Sequence, residues 1–450
     1  MFRHNLRSFI TAVVVPLLAT TALAYTPQNL TLEQAIAIAL EKNPVRKAAL
    51  AEQKAAAATT REARSLLLPR IVFAETATRG NDPVYAFGTR LRQHSFTEAD
   101  FAVNRLNTPA PISDFSSRFT GQWSVFDSMQ SWVGLNRAKL MQKAAVHQVD
   151  RTDQQLIFRV VHGYYGVLVA GRQLQAAEAA LKTAQSIEER SRSRVESGVA
   201  VSADLLSAQV LVAERQQQAI RARNRLSLAH TELALAVGMP ADSKFEPVDV
   251  LAERDFPILP LSDLEHVALE RRPDLKRLLT EESAQSRAVT MAKAAFAPRM
   301  NVFGSWQTNS AGGNNWTAGA ELQLDLFDGG AKAARLVREK AVQERTAAMR
   351  EAFKDNIRLE VRSAYYDLDA ARQQVDLARA AVSQAKESIR IMQNRYDSGL
   401  CTLTDLLRVE DAARRAQSDY WEAVYRLHTS YANLELATGT LSANSQVVKQ

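Results

Sequence analysis

The residues best placed to do chemistry fall in two nearly identical stretches, RVESGVAVSADLL at 194–206 and RYDSGLCTLTDLL at 395–407. Each puts an acid, Asp204 or Asp405, six residues after a Ser-Gly pair, and the second adds Tyr396, Cys401 and Arg408. Gly198 and Gly399 suit a tight turn with φ > 0, and the acids after them suit a helix N-terminus. This is turn, capping and ion-pair chemistry, with no bond to make or break. A third set lies in WTAGAELQLDLF at 316–327, where Glu321, Gln323 and Asp325 alternate with apolar residues. Reaction motifs are missing: there is no GxxxxGK phosphate loop, no GxSxG elbow, no HExxH and no pair of cysteines. His94, His147, His162, His230, His266 and His428 stand apart, none four residues from another as a helical metal site requires. No enzyme, cofactor or metal site is expected.

What must position the two turns is a duplication. ALEKNPVRKAAL at 39–50 matches ALERRPDLKRLL at 268–279, and Pro69-Arg70 recurs as Pro298-Arg299, both at a shift of 229. Further on the shift becomes 201: Phe126-Asp127 pairs with Phe327-Asp328, Tyr164-Tyr165 with Tyr365-Tyr366, and Gly238 with Gly439. The difference, 229 − 201 = 28, is an insertion in the first half between Pro69 and Phe126, rich in Pro, Asn and Gly and expected as a long loop over 79–116. Each half, 25–240 and 241–450, reads alike: short helix, second helix, two strands, a very long helix, the Ser-Gly turn and a last helix. The expected long helices are 128–195 and 202–237, then 330–396 and 402–438; the strands fall near 70–79, 117–126, 299–308 and 316–326. In the last helix Leu406, Val409, Ala413, Ala416, Tyr420, Val424, Leu427, Tyr431 and Leu434 recur by threes and fours as in a coiled-coil seam.

The N-terminus carries Arg3 and Arg7, an apolar run from Phe9 to Leu18 and Ala22-Leu23-Ala24, the pattern of a cleaved export signal over 1–24. Cys401 is the only cysteine, so no intrachain disulfide can form. The formal charge of +7 falls to +5 without Arg3 and Arg7, and its basic residues are interspersed with acids on helical patterns. That is a solvated face, not a nucleic-acid surface.

In WTAGAELQLDLF one face takes Trp316, Ala318, Ala320, Leu322, Leu324 and Leu326, the other Thr317, Gly319, Glu321, Gln323 and Asp325. SRFTGQWSVF at 117–126 alternates likewise. A half-buried sheet in a soluble protein gives the same pattern. In an exported chain, however, strands of about 9–11 residues have the length that spans an outer membrane. Four strands cannot close a barrel, and an open edge in lipid leaves backbone groups unpaired. Copies must then share one barrel, and three copies give twelve strands around a lumen lined by Glu321, Gln323 and Asp325.

The motifs ALEKNP, ALERRP and RYDSGLCTLTDLLRVEDAARRAQSDYWEAVYRLHTSYANLELATG, in this order of elements, strongly resemble the TolC-like outer-membrane efflux proteins over about residues 30–440. The resemblance implies a mainly α fold with membrane β: internally duplicated long helical hairpins forming an α-barrel, and four transmembrane strands per protomer closing a twelve-stranded β-barrel in a homotrimer. It implies an outer-membrane exit duct reaching into the periplasm. Its partners would be outer-membrane lipid, a periplasmic adaptor and an inner-membrane transporter, in tripartite efflux or type I secretion. It assigns Gly198, Val199, Gly399 and Leu400 to periplasmic tips that touch the adaptor, and Asp204, Tyr396, Asp405 and Arg408 to a periplasmic gate in which Tyr396 bonds Asp204. Where the family's best-known member has an Arg two residues after the second Gly, this chain has Cys401, and Arg408 replaces the second of two acids. The alternative from another class is a periplasmic coiled-coil scaffold or adaptor without a channel.

Overall fold

A computed structural model of the protein describes residues 28–449 apart from 244 and 399. The export signal expected over 1–24 lies outside the described residues. In chain order the elements are β1 (Gln28–Leu30), α1 (Leu32–Lys42), α2 (Pro44–Ser65), β2 (Arg70–Gly80), α3 (Pro83–Arg92), a 3-10 turn (Glu98–Phe101), α4 (Val103–Asn107), β3 (Ile112–Phe126), α5 (Gln130–Glu196) and α6 (Ser202–Val237). The second half follows with β4 (Phe245–Pro247), α7 (Leu261–Arg271), α8 (Pro273–Ala294), β5 (Arg299–Asn309), β6 (Asn314–Gln323), α9 (Ala331–Asp397) and α10 (Leu403–Thr438).

Local signals set the short helices. Thr31 caps α1 in a reciprocal box with Gln34, and Asn43 ends α1 while capping α2, whose Pro44 fills the first-turn position where no N–H is needed. The two long helices, α5 and α9, have 67 residues each, about 100 Å at ~1.5 Å per residue. Gly134, Gly163, Gly166 and Gly171 do not interrupt α5. Gly163 instead permits a close crossing, since a Cβ there would lie 3.2 Å from the Cα of Leu233 on α6. No described helix is long and apolar enough to cross a membrane.

The core lies where the two halves meet around the middle of the long helices. Tyr164 and Tyr165 of α5, Leu233 of α6, Ile357, Val361 and Leu368 of α9, and Val424 of α10 are buried together there. Leu406, Leu427, Tyr431 and Leu434 of the heptad seam are buried as well. A short parallel pair, β1 with β4, closes this region. The Tyr164 hydroxyl reaches Asp249 Oδ2 at 2.6 Å, and the same carboxylate oxygen accepts from the Leu32 amide at 3.0 Å.

The remaining strands form one antiparallel sheet, ordered β2-β3-β5-β6, with β2 and β6 as open edges. Two sequence expectations change. The insertion is not a loop: it folds as α3, the 3-10 turn and α4, and part of it lengthens β3 to 15 residues. And β6 stops at Gln323, so Asp325 lies just past the strand rather than in it.

Candidate functional site

The register sorts every side chain of the sheet onto one of two faces. On one face the cross-strand rows run Phe73–Phe119–Trp306–Trp316, then Ile71–Gly121–Gly304–Ala318, then Trp123–Val302–Ala320, then Phe126–Met300–Leu322. This apolar face is continuous across the sheet, and its large side chains are exposed. Its upper row is aromatic, with Phe73 and Phe119 rings 4.9 Å apart and Phe119 and Trp306 6.0 Å apart. One row further out the same face turns polar with Glu75, Ser117, Thr308 and Asn314. At the other end Leu66, Leu68, Leu324, Leu326 and Phe327 continue the exposed apolar surface.

The opposite face carries Arg118, Thr120, Gln122, Asn301, Ser305, Gln307, Thr317, Glu321 and Gln323, with the apolar Val72 and Phe303 among them. Arg118 donates to Gln307 Oε1 at 2.8 Å, and Arg299 to Gln323 Oε1 at 3.1 Å. Glu321 stands opposite Asn301. Asp325 is tied to this group from beyond the strand, accepting from Gln323 Nε2 at 3.3 Å and pairing with Lys332 at 3.1 Å.

At the far end of the long helices the first turn is made by Gly198 at φ +71°, with Gly198 N–H donating to Val195 O at 3.0 Å and Val199 N–H to Arg194 O at 2.9 Å. A Cβ on Gly198 would meet nothing within 4 Å, so only the backbone angle demands glycine there. Val199 is 70% exposed and Leu400 68%, two apolar tips without cover in one protomer. Gly399 lies outside the described residues. The two turns differ at the start of the returning helix. In the second, Thr402 and Asp405 form a reciprocal capping box, Thr402 Oγ1 accepting from Asp405 N–H at 3.2 Å and donating to Asp405 Oδ2 at 2.6 Å. The bonds from Thr402, with a smaller contribution from the Arg408 charge, hold the Asp405 carboxyl below the usual carboxylate range. In the first, Val201 occupies the matching position and has no side-chain bond to give.

Tyr396 does not meet Asp204 within the protomer. Its hydroxyl accepts from Arg194 Nη1 at 3.3 Å, while Asp204 is exposed on the first turn of α6. The reason is position: Tyr396 and Arg194 both sit in the last turn of a long helix, whereas Asp204 starts a returning one. Arg408 is exposed on α10. A contact with no sequence signal lies farther up, where buried Arg215 of α6 pairs with Asp411 of α10 and bonds Gln218. Position 416, the repeat equivalent of Arg215, is an alanine, so the duplication gives no hint of it.

Comparison with known proteins matches the family described as "Outer membrane efflux protein" over residues 35–239 and 264–440. The chain is 25% identical over 423 residues to the alkaline protease secretion protein AprF of Pseudomonas aeruginosa, covering 90% of this chain and 83% of that one. It is 25% identical over 367 residues to the outer membrane protein TolC of Vibrio cholerae, covering 76% and 81%. Among solved structures, the Campylobacter jejuni CmeC outer membrane channel superposes with a TM-score of 0.80 at 20% identity, covering 93% of this chain and 88% of that one.

Proposed function

The chain belongs to the outer membrane efflux protein family, and on that premise we propose that it works as a homotrimer whose three open sheets close one twelve-stranded barrel. It is an outer-membrane exit duct for efflux or type I secretion, reaching into the periplasm. One observation carries the assembly: a four-stranded sheet, open at both edges, with one continuous exposed apolar face and one polar face. A soluble scaffold has no use for an exposed band of that kind. In lipid the edges of β2 and β6 must find partners, because an unpaired backbone group there costs several kcal/mol, and another copy supplies them. The apolar face then meets lipid, and Arg118, Gln307, Thr317, Glu321 and Gln323 line the lumen, with Asp325 at its periplasmic rim.

In this reading the helices continue the lumen for about 100 Å into the periplasm. The paired turns end it, with Val199 and Leu400 as apolar contacts for an adaptor that leads to an inner-membrane transporter. Asp204, Tyr396, Asp405 and Arg408 ring the entrance, and Arg194 joins them as the partner of Tyr396. The mass and symmetry of the detergent-extracted protein test the assembly. A trimer is expected. A stable soluble monomer recovered without detergent would overturn it.

A further inference from the structure

The insertion between β2 and β3 has an assignable place. On β3, burial alternates only where the insertion lies: Asp114 is 7% exposed and Ser116 6%, while Phe115 between them is 52% exposed. Gln307 and Asn309 of β5, on the same face, are buried too. Further toward the periplasm that face opens again at Arg118 and Gln122. The register puts Asp114, Ser116, Gln307 and Asn309 on the polar face. The cover therefore lies over the lumen side and leaves the lipid side bare.

Its attachments agree. Gln93, just past α3, donates from Nε2 to Ser113 O at 2.9 Å and Asp114 Oδ1 at 3.1 Å. Asn309 Nδ2 donates to Arg92 O at 2.8 Å, while Asn309 Oδ1 accepts from the Gly313 amide at 2.9 Å and shapes the β5–β6 turn. At Gly313 a Cβ would collide with the Arg92 carbonyl, so the end of α3 rests directly on that turn. Nor is the insertion loose. Phe96 packs between Phe87 and Phe101, its ring 4.8 and 5.1 Å from theirs. Asp100 ties Arg90 at 2.6 Å to the Thr97 amide at 2.9 Å.

We infer that residues 81–111 form a fixed cap over the lumen face at the outer end of the barrel, which narrows the exit and sets a size limit on what leaves. This rests on the shared-barrel reading. Twelve strands about 4.8 Å apart and tilted by about 40° enclose a bore of about 25 Å between backbones. Each helix is about 10 Å thick with its side chains, so three inward caps fill most of that width.

The test labels cysteines from outside intact cells, in a Cys401→Ser background. Thr317→Cys places a thiol on the polar face and Ala318→Cys places one on the apolar face. One probe is a small charged thiosulfonate and the other a thiol-reactive polyethylene glycol of several kilodaltons. The cap is either replaced over 82–110 by a short Gly-Ser linker or unpinned by Asn309→Ala with Gln93→Ala. With the cap intact, the small probe should label Thr317→Cys and the polymer should not. Replacing or unpinning the cap should raise the polymer's labelling rate at least about tenfold. Equal polymer labelling with and without the cap, or continued exclusion once it is gone, overturns the inference. Labelling of Ala318→Cys in place of Thr317→Cys would instead overturn the assignment of the faces. If the linker variant fails to assemble, the unpinned variant, which keeps the aromatic cluster, decides.

Discussion

The two halves solve one problem with different chemistry. Each last helix, α6 or α10, ends at a left-handed glycine, Gly238 at φ +84° or Gly439 at φ +72°. Each glycine is pressed against the junction of the two short helices of its own half: a Cβ would lie 2.5 Å from the Cα of Asn43 in one and 2.8 Å from that of Arg272 in the other. The helix-end carbonyls left over must be satisfied. In the first half a neutral amide does it, Asn43 Nδ2 donating to Ala236 O at 2.8 Å. In the second, Arg272, 1% exposed, donates to Ala437 O at 3.3 Å and also bonds Asp274 twice and Glu360 once. The same backbone geometry thus tolerates a neutral amide that also caps α2 or a buried ionic cluster, and the second carries the larger liability if broken.

The contrast can be broken at those two residues. Arg272→Ala takes from Asp274 its main partner and leaves Arg151, 3.3 Å away, as the remaining cation; burial would push that carboxyl up, and the bonds to Arg272, with the charges of Arg272 and Arg151, hold it low. The expected loss is about 2–4 kcal/mol, less than for a buried charge left wholly alone because Arg151 still pairs with Asp274. Asn43→Ala leaves neutral carbonyls unpaired, removes the side-chain cap of α2, and should cost about 1–3 kcal/mol. Denaturant unfolding of detergent-extracted protein at neutral pH compares them. Equal losses would mean that the ionic cluster is no more critical than the amide.

Titration sharpens the same comparison. The second half buries His428 and partly buries Glu435, where the first has Ser227 and Ala234, each 201 residues earlier. Burial pushes His428 down to about 4, and its Nε2 donates to Ala252 O while Nδ1 has no partner to receive from a second proton. Its contribution is complete above about pH 6.5 and is lost as pH falls toward 4. Burial pushes Glu435 up to about 7, so its contribution is complete below about pH 4.5 and is lost as pH rises toward 7. Each is worth about 3 kcal/mol across its window, and in the native protein they offset. Stability should then be nearly flat between pH 5 and 7. Glu435→Gln should make it fall toward acid, and His428→Phe should make it fall toward neutral. Unfolding midpoints at both pH values check this; variants as flat as the native protein would remove both groups as determinants.

How much of this the sequence discloses depends on whether a feature repeats. The duplication, the long helices and the alternation of Trp316 to Leu322 against Thr317 to Gln323 follow from period and spacing, which a single chain displays by itself. Arg272 is in plain view beside Pro273 but looks like a surface charge, because nothing local shows that Asp274 and Glu360 close around it. The cap over 81–111 is hidden for the opposite reason. Its Pro, Asn and Gly content reads as loop, and its order comes from contacts among Phe87, Phe96, Phe101 and Asp100 that have no period. The register that places it on the lumen face exists only once β3 and β5 are paired. Likewise Arg194 and Tyr396 come from different halves, and only the fold, which packs α5 against α10 and α10 against α9, makes them neighbours.

The smallest effect is expected at that pair. The two tips differ where it matters for an entrance: Val195 and Val201 in the first stand where Tyr396 and Thr402 stand in the second. Thr402 fastens its own helix through the box with Asp405, and Tyr396 reaches across to Arg194. Both groups of that bond are solvent-accessible, so losing it should cost less than about 1 kcal/mol and leave assembly untouched. In the proposed trimer three copies act on one opening, however, and Tyr396→Phe should raise single-channel conductance in planar bilayers by up to about twofold. Arg194→Ala should do the same, and the double variant no more, because the two changes remove one interaction. Asp204→Asn should leave conductance unchanged. If instead Asp204→Asn matches Tyr396→Phe and Arg194→Ala does nothing, the entrance is latched between Tyr396 and Asp204 in the assembled trimer, and the Arg194 contact of the single protomer gives way on assembly.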